Sequence, residues 1–378
     1  MLRKPRLFTP GPTPIPEMVM LQMAQPIIHH RHAEFTALME RVNTNLQVLF
    51  CTKQPVLSLT SSGTGAAEAA ISSLFSPGDK GININNGKFA ERWGKMMTAY
   101  GMNTVEVEVE WGCAVSEEQL LAALKAHPDA QCVWLVHSET STGTYTNIKQ
   151  MSESIRKHSD ALVCVDGITS VGAHECRMDE WGIDVLITGS QKGLMIPPGL
   201  AFVALSERAW AKTATSTAPK FYFHLSKARA AWEEHSTPWT PAVTLFVGLD
   251  PALQMLVREG VETVWKRHTV LSEGLRAGAE ALGLRLFSQS PSHAVTALYQ
   301  PERGKEFLSL LKKEFGVTVT AGQDHIKDVI FRVSHLGYYD EGDMLTVLGV
   351  MEHALRRVGH RFEPGSGVAA AQKVFLQA

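Results

Sequence analysis

The stretch DVLITGSQKGLM, residues 184–195, places a lysine directly behind a buried strand. Val185, Leu186 and Ile187 form a short apolar run typical of a strand covered on both faces, and small residues end it. Lys192 follows within the loop. Lysine is among the residues least often buried, so this position indicates either an accidental surface charge or a working amine.

The composition limits what such an amine can serve. The chain has 378 residues, 44% hydrophobic and 20% charged, which is enough for one large and one smaller domain. Its 36 basic and 38 acidic residues give a formal net charge of -2, so no overall field attracts nucleic acid or an anionic membrane. We therefore expect a small molecule or another protein chain as the partner.

The cysteines and the apolar runs indicate a cytoplasmic protein. The five cysteines are scattered, with no CxxC pair and no histidines arranged with them as a zinc site, so we expect reduced core residues and no metal. No apolar run reaches the roughly 18 residues of a spanning helix. The first residues, MLRKPRLFTPGPTP, lack the apolar stretch of a signal peptide.

Short apolar strands alternate with helical patterns between residues 33 and 206, which predicts a mostly parallel sheet with helices on both faces. Prolines keep the first residues extended. A long helix is predicted from Pro251 to Leu282, before a compact α+β layer. The expected domains are an extended segment at 1–17, a large domain at 18–255 and a small C-terminal domain at 256–378.

Polar residues follow several predicted strands, at the sheet edge where open parallel sheets bind ligands. Ser62, Gly63 and Thr64 lie between a strand and a helix, where they would hold a phosphate or simply cap the helix. Asp166 ends an apolar run, where it either meets a cation or caps the next turn. With Lys192, these groups match what pyridoxal phosphate requires.

Nine motifs extend this match over nearly the whole chain, and GSQKGLMIPPG is the most specific part. On these motifs the chain resembles the class V aminotransferases of pyridoxal-phosphate fold type I, close to the alanine–glyoxylate and serine–pyruvate aminotransferases. The resemblance implies an α/β fold with a mostly parallel, seven-stranded sheet flanked by helices, plus a smaller C-terminal α+β domain. The motifs, in the order of the family, are TPGPTPIP, HHRHAEF, TSSGTGAAEAA, NNGKFAERW, HSETSTG, VDGITSVGA, TGSQKGLMIPPGL, TPWTPAV and FRVSH.

The resemblance also implies a role for each matching residue. Lys192 would be the Schiff-base lysine, and Asp166 would face the pyridine nitrogen of the cofactor. The other implied cofactor-binding residues are Ser62, Gly63, Thr64 and Gln191 at the phosphate, Phe89 stacked on the ring where the family often has tryptophan, Thr140 near the ring oxygen, Ser170 close by, and Thr240, which would reach the phosphate of the neighbouring chain in a homodimer.

Substrate binding is expected at VIFRVSH. Alternate side chains of a strand share a face, so Phe331 and Val333 can enter the core while Arg332 points the other way. The pattern alone favours an exposed arginine, whereas the resemblance implies that Arg332 binds the substrate α-carboxylate. Gly11, in the proline-rich segment, would border the same pocket and leave room for a small side chain only.

The expected reaction is transamination of alanine, serine or glycine with glyoxylate or pyruvate. A phosphonate aminotransferase stays open, because Arg332 could bind either anion. A cysteine desulfurase or related lyase needs a catalytic cysteine on a mobile loop, and none is evident. A nicotinamide dehydrogenase would need a GxGxxG motif, and a non-catalytic binding subunit would not need Lys192 and Asp166.

Overall fold

A computed structural model describes residues 3–378 of the chain. Its strands are β1 Arg6–Leu7, β2 Val56–Leu59, β3 Lys80–Asn85, β4 Asn103–Glu108, β5 Cys132–Val136, β6 Ser138–Glu139, β7 Thr144–Tyr145, β8 Leu162–Asp166, β9 Val185–Gly189, β10 Ala201–Leu205, β11 Val295–Tyr299, β12 Val317–Thr318, β13 Thr320–Ala321 and β14 Ile330–Ser334. Its helices are α1 Glu17–Met23, α2 Ala33–Phe50, α3 Gly63–Leu74, α4 Lys88–Ala99, α5 Glu117–Ala126, α6 Ile148–His158, α7 Glu207–Lys212, α8 Leu225–Glu233, α9 Val243–Glu259, α10 Val261–Ala281, α11 Gly304–Lys313, α12 Glu341–Arg357 and α13 Ser366–Phe375.

The central sheet has seven strands in the order β2–β10–β9–β8–β5–β3–β4. All neighbouring pairs are parallel except those of β10, which runs antiparallel to both β2 and β9. Successive residues of β8 enter two different apolar cores, because alternate side chains point to opposite faces and helices cover both. The predicted mostly parallel seven-stranded sheet is confirmed.

The C-terminal part has a three-stranded antiparallel sheet, β11–β14–β13, packed against helices α10 to α13, so the predicted α+β layer is confirmed. The predicted helix from Pro251 to Leu282 is wrong in two respects. It begins earlier, at Val243, and it is not continuous. Two helices, α9 and α10, meet at Gly260, whose φ of +89° lies in the left-handed region that favours glycine and ends a helix. The domain limits at 18–255 and 256–378 stay predictions.

The N-terminal segment links the C-terminal part to the loop that carries Lys192. β1 pairs in parallel with β12, and Phe8 lies in the core of the C-terminal part. The segment then continues without a helix until α1 begins at Glu17. On the way, Thr13 donates from its hydroxyl to the carbonyl oxygen of Lys192 at 3.1 Å. This segment therefore passes directly over the lysine.

Within residues 3–378, no helix is long and apolar enough to cross a membrane. The same residues contain no group of three or more His, Cys, Asp or Glu side chains placed to hold a metal ion. All five cysteines are free. Cys132, Cys164 and Cys176 are buried, as expected for core residues, whereas Cys51 and Cys113 are only partly buried.

Candidate active site

Two neighbouring parallel strands place Asp166 and Lys192 at the same edge of the sheet. Asp166 is the last residue of β8, and Lys192 comes three residues after the end of β9. Both side chains are buried. The Lys192 amine donates to the carbonyl oxygen of Pro10. The Asp166 carboxylate accepts from the backbone N–H of Ile168 at 2.8 Å and from the indole N–H of Trp93 at 3.1 Å.

Burial brings the ionisation of this pair close to neutral pH. Burial raises the pKa of Asp166 to about 7, and the negative charge of Glu139 adds to the effect. Burial lowers the pKa of Lys192 to about 8, with the positive charge of Arg332 as the second cause. The two groups attract each other, which opposes both shifts. A lysine that is part neutral near pH 7 can accept and return a proton.

The amino end of α3 and the Gln191 side chain form a cradle next to this pair. The N-cap residue Ser62 makes no side-chain capping bond, so the N–H groups of the first turn have no side-chain acceptor. Gln191 and the start of α3 both border the space beside Gly189: a Cβ built on that glycine would lie 3.1 Å from Gln191 Oε1 and 3.6 Å from the backbone nitrogen of Gly63. Gln191 Oε1 is buried without a hydrogen-bond partner. The free N–H groups at the start of α3 suit an anion, and the NH2 group of Gln191 is a further donor that can face it.

Helix α4 connects the cradle to Asp166. The guanidinium of Arg92 donates to Thr64 Oγ1 at 3.0 Å and lies 5.1 Å from the centre of the Phe89 ring. Trp93 comes four residues after Phe89, on the same side of the helix, and donates to Asp166. One helix therefore holds an aromatic face, a cation and the carboxylate's hydrogen-bond donor.

Arg332 is buried rather than exposed, and its remaining donors are paired in a fork. Phe331 and Val333 enter the C-terminal core, as the strand pattern predicts. The guanidinium donates from Nη1 to the Thr140 carbonyl at 2.7 Å, and from Nε and Nη2 to the Ala321 carbonyl at 3.3 and 2.8 Å. Three of its five N–H groups are used, which leaves one on each Nη. Such a pair matches a carboxylate bidentately.

Gly11 lies against the lysine. Its φ is +144°, and a Cβ added there would lie 2.6 Å from both Cε and Nζ of Lys192. Only glycine leaves room for the amine at this point.

Two predicted residues are not linked to this cluster within residues 3–378. Ser170 is buried and its hydroxyl has no partner. Thr240 is exposed in the loop between α8 and α9 and makes no hydrogen bond to Lys192 or Asp166. Conversely, the sequence did not single out Trp93, although its spacing from Phe89 on one helix was a usable signal.

Comparisons with known proteins identify the family of the chain. The family model "Aminotransferase class-V" matches residues 7–339. The "Soluble hydrogenase, small subunit" of Synechococcus sp. (strain PCC 6716) is 42% identical, with 99% of each chain covered. The L-aspartate–glyoxylate aminotransferase of Paracoccus denitrificans is 35% identical, over 98% of this chain and 96% of that one. The crystal structure of ureidoglycine–glyoxylate aminotransferase from Bacillus subtilis has a TM-score of 0.94 at 29% identity, covering 100% of this chain and 99% of that one. From its matched residues, its fold and these relatives, this chain belongs to the class V aminotransferases.

Proposed function

We propose that the chain is a pyridoxal-phosphate-dependent aminotransferase that moves an amino group from a small amino acid (alanine, serine or glycine) to glyoxylate or pyruvate. The observation that carries this proposal is the buried pair of Lys192 and Asp166, with the paired donors of Arg332 close enough to shift the pKa of the lysine. A buried lysine next to a buried carboxylate and a buried arginine is typical of a catalytic site, and the lowered pKa of this lysine fits that role.

The residues present fit pyridoxal phosphate. The buried Asp166 carboxylate has spare lone pairs beside its two hydrogen bonds and would face the pyridine nitrogen, whose positive charge would favour the ionised carboxylate. The phosphate would take the N–H groups of Gly63 and Thr64 and the side chain of Gln191. Phe89 offers a ring face for stacking. Lys192 would hold the cofactor covalently.

When bound, pyridoxal phosphate supplies a reactive carbonyl carbon and a ring that withdraws electrons from the substrate α-carbon. Asp166 keeps a proton on the pyridine nitrogen. In each half of the exchange Nζ of Lys192 would move one proton between the substrate α-carbon and the cofactor carbon that exchanges the amino group, because part of the lysine is neutral near pH 7. Arg332 holds the substrate carboxylate and so fixes which bond at the α-carbon faces the lysine.

The relatives support glyoxylate as acceptor more firmly than any one donor. Two of the three proteins compared carry glyoxylate in their names, while their donors are aspartate and ureidoglycine. Glyoxylate and pyruvate each have one carboxylate, which the single fork of Arg332 can bind. Gly11 lies against Cε and Nζ of Lys192, so the N-terminal segment that carries it would border the substrate pocket and leave room for a small donor only. A phosphonate donor is the alternative that Arg332 would also accept.

We also propose that two chains form a homodimer in the cytoplasm and that Thr240 completes the phosphate site of its neighbour. Large apolar side chains are exposed on α1 and in the loops that follow it and precede α8, which is typical of an interaction surface. They are Met18, Met20, Leu21, Ile27, Phe221 and Tyr222. Trp239, beside Thr240, stacks on the exposed Phe221 ring at 5.3 Å.

Mixed dimers test this shared site. Lys192→Ala chains and Thr240→Ala chains, each impaired alone, are dissociated, mixed and allowed to reassociate. A mixed dimer holds one site with both lesions and one intact site, so activity rises above that of either parent. Mixed dimers that form without any gain in activity would exclude a shared site.

A second candidate is a subunit of a larger assembly, which the name of the Synechococcus relative favours. The purified chain alone distinguishes the two. An aminotransferase catalyses transamination without any partner and elutes in size-exclusion chromatography as a small homo-oligomer. A subunit without its own activity shows no turnover and does not form such a homo-oligomer.

The deciding experiment is a donor and acceptor panel with the purified, cofactor-loaded chain. Alanine, serine, glycine, aspartate and 2-aminoethylphosphonate are each tested with glyoxylate, pyruvate and 2-oxoglutarate, and the Lys192→Ala variant is the control. The proposal expects the fastest turnover with a small donor and glyoxylate or pyruvate, and none in the control. No turnover with any pair would overturn it.

A further inference from the structure

Glu139 has no step in the proposed reaction, yet its carboxylate is fully buried beside the site. It is the last residue of β6 and directly precedes Thr140. A buried carboxylate is costly unless donors surround it. Here four hydrogen bonds reach its two oxygens, three from backbone N–H groups and one from a hydroxyl.

One oxygen caps helix α4. Its N-cap residue is Gly87, which has no side chain and therefore cannot accept from the first turn. Glu139 Oε2 accepts instead from the N–H groups of Phe89 at 3.1 Å and Ala90 at 3.0 Å. The negative charge also suits the positive end of the helix dipole. A Cβ at position 87 would lie 2.5 Å from Glu139 Cδ, so the glycine makes room for this cap.

The other oxygen holds the turn that follows β6. Glu139 Oε1 accepts from the N–H of Ser141 at 2.9 Å and from its hydroxyl at 2.6 Å, and Ser141 Oγ accepts in turn from the N–H of Lys88 at 3.0 Å. The same turn presents the Thr140 carbonyl to Nη1 of Arg332. One carboxylate thus ties the helix that carries Phe89 to the turn that orients Arg332.

We propose that Glu139 is a positioning residue that holds the ring-stacking face of Phe89 and the carboxylate-binding fork of Arg332 in one fixed relation. This inference rests on the proposed function, because it assigns Phe89 to the cofactor and Arg332 to the substrate. Cofactor and substrate affinity should then depend together on a residue that touches neither of them.

Three variants test the proposal. Glu139→Gln keeps the size but turns an NH2 group toward N–H donors. Ser141→Ala removes the hydroxyl that bridges Glu139 and Lys88 and leaves the charge in place. The matched control is Asp184→Asn, another fully buried carboxylate that accepts from the Val163 N–H at 3.0 Å and from a serine hydroxyl, but at the start of β9, the opposite end of the sheet.

Four quantities are measured for each variant: the thermal midpoint, the Kd for pyridoxal phosphate by fluorescence titration of the cofactor-free protein, and KM and kcat. A hydrogen bond to a charged group corresponds to about tenfold or more in affinity. Glu139→Gln should raise both the Kd and the amino-acid KM by about tenfold. Ser141→Ala should raise chiefly KM, because the bonds to Phe89 and Ala90 remain. Asp184→Asn should lower the thermal midpoint and leave Kd and KM unchanged.

A folded Glu139→Gln variant with the parent's Kd and KM would overturn the proposal. If that variant does not fold, Ser141→Ala decides, and a parental KM in it overturns the proposal. Equal losses of affinity in Asp184→Asn would also overturn it, because general destabilisation would then explain the effect. A parent chain that neither binds pyridoxal phosphate nor transaminates would remove the proposed function itself, which separates the two failures.

Discussion

Replacement of Gly11 by alanine should inactivate the enzyme without unfolding it. The added Cβ would lie 2.6 Å from Cε and Nζ of Lys192 and 2.8 Å from its Cδ. Non-bonded carbon atoms prefer about 3.5 to 4.0 Å, so the lysine or the N-terminal segment must move by roughly 1 Å. A displacement of this size at a reacting group costs about a hundredfold in rate. The alanine also takes a φ of +144°, which costs on the order of 1 to 3 kcal/mol of stability.

Gly260→Ala is the control for backbone strain. Gly260 also has a positive φ, +89°, but a Cβ there would meet only Thr263 Oγ1 at 3.6 Å, in the junction between α9 and α10. Steady-state transamination and thermal unfolding are measured for both variants. Both should lose stability, and only Gly11→Ala should lose about a hundredfold in kcat/KM. Parental activity in Gly11→Ala, or an equal loss in Gly260→Ala, would refute the reasoning.

Three further predictions concern single side chains. Arg332→Lys keeps the positive charge but loses the planar pair of donors. The KM for the amino acid should therefore rise by about tenfold or more, while the Kd for the cofactor stays the same. An unchanged KM in a kinetic assay would contradict this prediction. Trp93→Phe removes a hydrogen-bond donor to the Asp166 carboxylate and should raise the pKa of Asp166 above about 7. In cofactor titrations, the lowest pH at which the cofactor still binds should therefore move upward. An unchanged limit would contradict this prediction. Burial raises the pKa of Asp166, so the folded state loses stability as the pH rises from about 4 to about 7. In urea unfolding without cofactor, the free energy of unfolding of Asp166→Asn should therefore equal that of the parent near pH 4 and exceed it by up to roughly 4 kcal/mol above pH 7. Equal free energies of unfolding at both pH values would show that burial does not destabilise the ionised carboxylate.

The layout of the site could be predicted because it follows from strand order. Asp166 ends one apolar strand and Lys192 follows the next, and parallel neighbours bring their carboxyl ends to one edge. The alternation of side chains along a strand also predicted that Arg332 lies between two residues that face the core. Its burial was not, because that depends on the Thr140 and Ala321 carbonyls of other elements.

The features of the fold and site that the sequence did not predict depend on contacts between residues far apart in the chain. A strand buried on both faces reads the same in either direction, so the reversal of β10 has no local signal. The apolar helical pattern runs through Gly260 without interruption, although the backbone breaks there. The caps on α4 and the donor to Asp166 come from residues far apart in the chain, Glu139 and Trp93.

The central claim is that Lys192 is the amine that holds the cofactor, and chemical trapping tests it most directly. The chain is loaded with pyridoxal phosphate, reduced with borohydride, digested and analysed by mass spectrometry. The account predicts a yellow protein that is bleached by borohydride, with the added mass on Lys192 alone, and no such product from Lys192→Ala. A label on a different lysine, or a protein that takes up no label, would contradict it.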